Sequence, residues 1–355
     1  MGEGKPIIGG DVGNAAKARA LALIGRTLAG RYRIEELIAM GGIAAVFRAS
    51  RLDGSPDVAI KILHPEAENM PELIERLERE AIAGKHIYHP NVAAVLEISA
   101  LEDGSWFLVM EYIRGKTLRD HIDRGPMPPL RAAKIARQLA ASLNAAHDLG
   151  IIHRDVKPRN IMLTDEPADH VKLIDFGLAK VPVERLAVAG ENVRNSLTQA
   201  GVVFGTVAYM APEASLGMRV IDRRADLYAL GVIMYEMLSG KHPFTATEPS
   251  ALFAQHRKVM PPPIAERAPG IEVPPALEAV VKKLLEKDPD NRYPYARSVM
   301  VALDGIIADL AARTPEAKPL VVAGESAGRS RGLIVGAVIV VIAALAIVAF
   351  FVVGK

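Results

Sequence analysis

The stretch IIHRDVKPRNIML, residues 151–163, leads from an apolar strand through a polar loop into a second apolar strand. The loop offers an acid at Asp155, a base at Lys157 and an amide at Asn160. Further on, VKLIDFGLAK, residues 171–180, is another apolar run ending in a single acid, Asp175, followed by Phe-Gly. A carboxylate and an amide at converging strand ends can hold Mg²⁺, which prefers oxygen ligands and keeps places for water and phosphate. A second carboxylate beside them can orient a hydroxyl nucleophile.

Working outward, residues 37–47, LIAMGGIAAVF, read as a strand-turn-strand with Gly41 and Gly42 at the turn. A loop that brings backbone N–H groups close to phosphate oxygens favours residues without a Cβ. Ala39 and Ala44 stand where a GxGxxG pattern has its first and third glycines, so this stretch alone decides nothing. GKT at residues 115–117 is no Walker motif, because the glycine that GxxxxGK[ST] requires falls on Met110.

VAIK ending at Lys61, HRDVKPRN, DFG and MAPE follow one another in this order, and jointly they resemble the protein kinases over Tyr32 to about Ala312. The resemblance implies an α+β, bilobal protein kinase fold. Its N-lobe (32–112) would be a β-sheet with one helix, its C-lobe (113–312) mainly helical, and ATP would sit in the cleft between them. The sequence pattern agrees: short strand-like pieces run to Tyr112, with one charged helical run from Met70 to about Lys85. Beyond them come helical periods, including ADLYALGVIMYEMLSG, apolar nearly all round and therefore expected as a central buried helix.

Carried over by resemblance, Asp155 is the base for the substrate hydroxyl and Lys157 neutralises the transferring phosphoryl group. Lys61 holds phosphates and pairs with Glu80, for which Glu78 competes; the nine-residue distance to HPN favours Glu80. Asn160 and Asp175 bind Mg²⁺ or Mn²⁺. Gly41 and Gly42 cover the phosphates; Ile38, Val46, Ala59 and Met162 wall the adenine, with Met110 as gatekeeper and Glu111 and Ile113 offering backbone groups. Lys157, two residues after the aspartate, matches the serine/threonine-specific rather than the tyrosine-specific kinases. Glu213 with Arg292 is expected as a buried ion pair, Asp226 as a brace for the catalytic loop, and His153 and Phe176 as packed spine residues. NSLTQAGVVFGTVAYMAPE resembles the activation loop of bacterial membrane-bound Ser/Thr kinases, which makes Thr198 and Ser196 the expected phosphorylation sites and Thr206 a structural hydroxyl near Asp155.

The implied function is ATP-dependent phosphorylation of protein Ser/Thr hydroxyls, with autophosphorylation of the loop. The alternative is a pseudokinase serving as an ATP-binding membrane scaffold. All of Lys61, Glu80, Asp155, Lys157, Asn160 and Asp175 are present, which favours the enzyme, with Ala39 and Ala44 expected to weaken its hold on ATP.

Among 355 residues there is no cysteine, and the nine histidines lack metal-site spacing, so thiolate chemistry is excluded and zinc is not expected. A net charge of +2 without a basic stripe gives no nucleic-acid partner. Residues 333–353, LIVGAVIVVIAALAIVAFFVV, form an uninterrupted apolar run long enough for a transmembrane helix. Arg313, Lys318, Arg329 and Arg331 precede it and Lys355 follows, so by the positive-inside rule the kinase part is expected in the cytoplasm, at the cell (inner) membrane, and no sensor domain is expected beyond the span. Residues 1–31 are expected to be a flexible leader without signal-peptide character, with a short helix open to AAKARALALI at 15–24, and 313–332 a juxtamembrane linker. Gly332 and Gly336 fit a helix-pairing GxxxG, which keeps a homodimer among the partners, although a glycine-rich membrane boundary is the preferred reading.

Overall fold

The computed structural model describes residues 7–8, 14–41, 44–64, 81, 84–101, 105–175, 207–216 and 221–313. The chain divides into two units, Met1–Ala312 and Arg313–Lys355, and the description concerns the first.

Its N-terminal part is built on alternation. Strands β3 (Tyr32–Met40), β4 (Ala44–Arg51), β5 (Val58–Leu63), β6 (Val95–Ala100) and β7 (Trp106–Glu111) pair antiparallel in the order β3-β4-β5-β7-β6. One face of this sheet buries Ile34, Phe47, Ile60, Phe107 and Val109 in a common core. Because successive residues point to opposite faces, Val46, Lys61 and Met110 belong to the other face. There Val46 lies opposite Lys61 and Ala59 opposite Met110. The sheet also curls: Glu97 on β6 accepts hydrogen bonds from Tyr32 at 2.8 Å and Arg31 at 2.6 Å, at the start of β3.

The stretch expected as a flexible leader carries three elements, which corrects the leader reading, while one of them is the short helix that AAKARALALI allows. Strand β1 (Ile7–Ile8) runs parallel to β3 opposite Ala39 and Met40, helix α1 (Asn14–Leu21) follows, and strand β2 (Thr27–Leu28) pairs with the start of β3. Ala20 and Leu28 are buried in the same core as Phe47. An eight-residue helix is marginal alone, so this order comes from docking onto the sheet.

Most of the expected helix from Met70 to Lys85 lies outside the described residues. Gly84, near its end, is helical, and a Cβ there would come within 2.9 Å of Val95 Cγ2. The glycine thus admits close approach of helix and sheet.

The C-terminal part is helical: α2 (Leu118–Ile122), α3 (Pro129–His147), α4 (Arg224–Ser239), α5 (Pro249–Lys258), α6 (Ile264–Arg267), α7 (Pro275–Leu284) and α8 (Ala296–Arg313). Helix α4 is buried from Asp226 through Ser239, as its all-round apolarity predicts, and packs against α3 and α7. Gly240 ends it in the left-handed conformation, φ 68°, its N–H bonded to Glu236 O. A small sheet of β8 (Gly115–Thr117), β9 (Ile161–Thr164) and β10 (Val171–Leu173) lies in this lobe, its strands flanking the polar loop of residues 151–160 and Asp175. Asn91 ties the lobes together. Its side chain donates to Val171 O at 2.9 Å, its carbonyl accepts from Leu173 N at 2.8 Å, and Val92 bridges to Leu173.

Among the described residues no helix is long and apolar enough to cross a membrane. The span expected at 333–353 and most of the linker lie outside them.

Candidate active site

The polar loop takes its shape from a buried acid. Asp226, at the start of α4, accepts at Oδ1 from the Arg154 N–H (2.8 Å) and at Oδ2 from the His153 N–H (2.9 Å) and His147 Nε2 (2.8 Å). Burial pushes its carboxyl pKa up, but the hydrogen bond and charge of His147 outweigh this and hold it below the usual carboxylate range. Arg154 is thereby fixed at φ 62°, an uncommon conformation for a residue with a Cβ. His153, 1% exposed, receives the Asp155 N–H at Nδ1 and faces Ile174 O with Nε2 at 3.3 Å. That is the pattern of a neutral ring, and burial accordingly lowers its pKa. The bracing role expected for Asp226 is therefore met in atomic detail.

On this frame the three polar side chains read from the sequence converge. Lys157 Nζ donates to Asp155 Oδ2 at 2.8 Å, and Asn160 Nδ2 reaches the same oxygen at 3.2 Å and Asp155 O at 2.9 Å. With its amide nitrogen so engaged, Asn160 turns its oxygen elsewhere. Asp175, two residues beyond β10, sits at φ 59°, a second strained position. Its carboxylate accepts from Lys61 Nζ at 2.9 and 3.1 Å, joining the lobes across the cleft.

Ile38, Val46, Met110, Ile113 and Met162 are half-buried and Ala59 is buried. The Glu111 side chain turns away to Lys172, 2.7 Å distant, and its N–H is taken up by Ala94 O. Gly41 lies at the end of β3, its N–H bonded to Ala44 O at 2.8 Å. Gly42, Glu80, Phe176, Ser196, Thr198 and Thr206 lie outside the described residues.

Beyond this centre, Arg292 is enclosed, and all its N–H donors are used. It makes a forked pair with Glu213 at 2.8 and 2.7 Å and donates to the carbonyls of Glu286, Arg224 and Lys287. The short segment before Glu213 is anchored to the C-lobe. Tyr209 Oη donates to the buried Glu236 at 2.6 Å, and His242 Nε2 meets Ala208 O at 2.7 Å.

Sequence reasoning passed over Asn91, His147 and His64. Asn91 stood in HPN, used only as a ruler for Glu80; His147 lies on an apolar helix and resembles an ordinary core histidine.

An oxygen donor set of one carboxylate and one amide fits Mg²⁺, which keeps further places for water and phosphate. Among the described residues no three His, Asp or Glu side chains gather into a protein-only metal cage.

A cleft between a curled sheet and a helical lobe, lined by a lysine–aspartate pair and an Asp-Lys-Asn loop, is the arrangement of the protein kinases, and the comparisons agree. The protein kinase domain family matches residues 32–301, and the chain belongs to it. It is 37% identical over 287 residues to the serine/threonine-protein kinase pkn3 of Myxococcus xanthus, covering 80% of this chain and 51% of that one. It is 40% identical over 281 residues to the serine/threonine-protein kinase PknB of Mycolicibacterium smegmatis, covering 78% and 43%. The chain thus spans about half or less of the length of these relatives. Among solved structures, the PknI kinase domain of Mycobacterium tuberculosis superposes with a TM-score of 0.60 at 25% identity, over 79% of this chain and 98% of that one.

Proposed function

We propose that the chain is a serine/threonine protein kinase that transfers the γ-phosphoryl group of ATP to Ser/Thr hydroxyls of proteins. The observation that carries this is the convergence of Asp155, Lys157 and Asn160 on one stretch of backbone, joined through the Ile174 N–H to Asn160 O bond to the residue before Asp175, the partner of Lys61. In this reading Asp155 orients the substrate hydroxyl and accepts its proton. Lys157, already bonded to that carboxylate, counters charge on the phosphoryl group, and Lys61 steadies the remaining phosphates. Asn160 and Asp175 would hold Mg²⁺ or Mn²⁺, which supplies charge neutralisation on the phosphates when bound. Adenine would lie among Ile38, Val46, Ala59, Met110 and Met162, with hinge backbone groups of Glu111 and Ile113, under the glycine turn at Gly41 and Gly42; Glu80 would complete the lysine site.

The same proposal includes phosphorylation of the chain on Thr198 or Ser196 and attachment to the cell membrane through residues 333–353 with the kinase part cytoplasmic; a homodimer through Gly332 and Gly336 is the less favoured reading of that stretch. The apolar run and its flanking arginines support the anchor.

Incubating the full chain with Mg²⁺-ATP and mapping phosphate by mass spectrometry tests it. Phosphate on Ser or Thr, at 198 or 196 among them, is the expected result. Bound nucleotide with no phosphate on the chain or on any protein acceptor would contradict the enzyme and leave a scaffold.

A further inference from the structure

Residues 39–44, the glycine stretch of the kinase reading, carry alanines at two of its three glycine positions, and the residue after a neighbouring strand contacts Gly41. Leu63, the last residue of β5, lies opposite Ala44, so the next residue, His64, falls beside the β3–β4 turn. His64 is 9% exposed and its Nε2 lies 3.0 Å from Gly41 O. A carbonyl oxygen only accepts, so the imidazole donates with its proton on Nε2. Gly41 also donates its N–H to Ala44 O at 2.8 Å, and a Cβ at position 41 would come within 3.3 Å of that oxygen. Gly41 is thus bonded both to Ala44 and to the residue that follows the strand bearing Lys61.

We propose that His64 is a positioning residue for ATP: its hydrogen bond to Gly41 holds the end of β3, where the chain enters the glycine stretch, against the strand that bears Lys61, so that Gly41 and Lys61 keep a fixed relation at the nucleotide. The inference rests on the kinase reading. Its physical logic is preorganisation. Ala39 and Ala44 lack the conformational range of glycine, and a Gly41 held in place makes a fixed approach to phosphate do the work of an adaptable one. On the opposite flank β1 pairs with β3 at Ala39 and Met40, which braces the strand leading into the turn. A merely structural histidine would act on stability alone, whereas this one acts on the KM for ATP.

The test uses the full chain with His64→Leu, His64→Gln and His64→Asn. Two measurements are made: steady-state kinetics with Mg²⁺-ATP and a Ser/Thr peptide, and calorimetric binding of a non-hydrolysable ATP analogue. The Gln amide reaches the position of Nε2 and the Asn amide does not. Leu and Asn are expected to raise the KM for ATP and the analogue Kd about three- to tenfold, the worth of one hydrogen bond. The peptide KM should stay unchanged, and Gln should restore wild-type values. If Leu fails to fold, Gln near wild type with Asn weakened carries the same conclusion. Gln and Asn behaving alike, or a fall in kcat at unchanged KM for ATP, overturns the inference. Wild-type chain that binds no nucleotide overturns the kinase reading itself, whereas wild-type binding shared by every variant overturns only the role of His64.

Discussion

Lys61 on β5 and Asp175 beyond β10 meet across the cleft, the ammonium donating to both carboxylate oxygens at 2.9 and 3.1 Å. The Asp175 side chain is 34% exposed, so the pair is partly solvated and adds about 1 kcal/mol or less to stability. In the proposed kinase reading its importance lies in chemistry. Lys61→Met should lower phosphoryl transfer on the order of 10²-fold or more while shifting the unfolding free energy by no more than about 1 kcal/mol. Transfer rates and urea unfolding on the same preparation check both halves.

The Arg292–Glu213 fork behaves oppositely, because neither partner sees water and removing one strands the other. Glu213→Ala should destabilise the C-lobe by about 3–5 kcal/mol, read as a lowered denaturation midpoint. A loss below about 1 kcal/mol would mean that the carbonyls around Arg292 suffice to hold its charge.

Asp226→Asn removes a charge that three donors share and leaves one acceptor oxygen. The His153–Asp155 backbone should then drift, and a displacement near 1 Å at a catalytic group costs on the order of 10²-fold in rate. Measuring kcat and the KM for ATP separates this from a binding defect: kcat should fall and the KM should hold.

His256 on α5 is fully buried against Tyr228 and Phe244, and burial, with His242 and Lys287 nearby, lowers its pKa to about 3. In the unfolded chain it would titrate near its ordinary value, so between about pH 6.5 and 3 the unfolded state binds the extra proton. Stability should therefore fall with acidification below about pH 6.5, by up to about 1.4 kcal/mol per unit from this residue. His256→Phe should flatten the slope. Equal slopes in variant and wild type would assign the acid sensitivity to other groups.

Gly84→Ala distinguishes helix propensity from packing. Propensity alone favours alanine by about 1 kcal/mol, but a methyl 2.9 Å from Val95 Cγ2 overpacks the contact at a cost of about 1–3 kcal/mol. The variant should be no more stable than wild type; a raised melting temperature would show that Val95 moves aside freely.

What the sequence disclosed follows from how local each signal is. Asp155, Lys157 and Asn160 share one loop, so their convergence is nearly a consequence of chain geometry, and the ordered motifs brought in Lys61 and Asp175 from far along the chain. The all-round apolarity of α4 marked it as buried because no other environment accepts such a helix. Elements whose reason is tertiary stayed hidden. The AAKARALALI run allows the short helix α1 but does not show that it is ordered where Ala20 meets the sheet. Gly84 reads as a weak helix position until Val95 is seen beside it. His64 and Asn91 act through backbone carbonyls, and the sequence does not say which carbonyl will lie within reach.

The most direct measurement compares wild-type chain with Asp155→Asn, following phosphoryl transfer to a Ser/Thr acceptor under Mg²⁺-ATP alongside the affinity for nucleotide. The account predicts transfer reduced by about 10²–10⁴-fold with nucleotide affinity within about threefold of wild type. Transfer by the variant at close to the wild-type rate would contradict it, because the acid at the centre of the loop would then have no part in the chemistry.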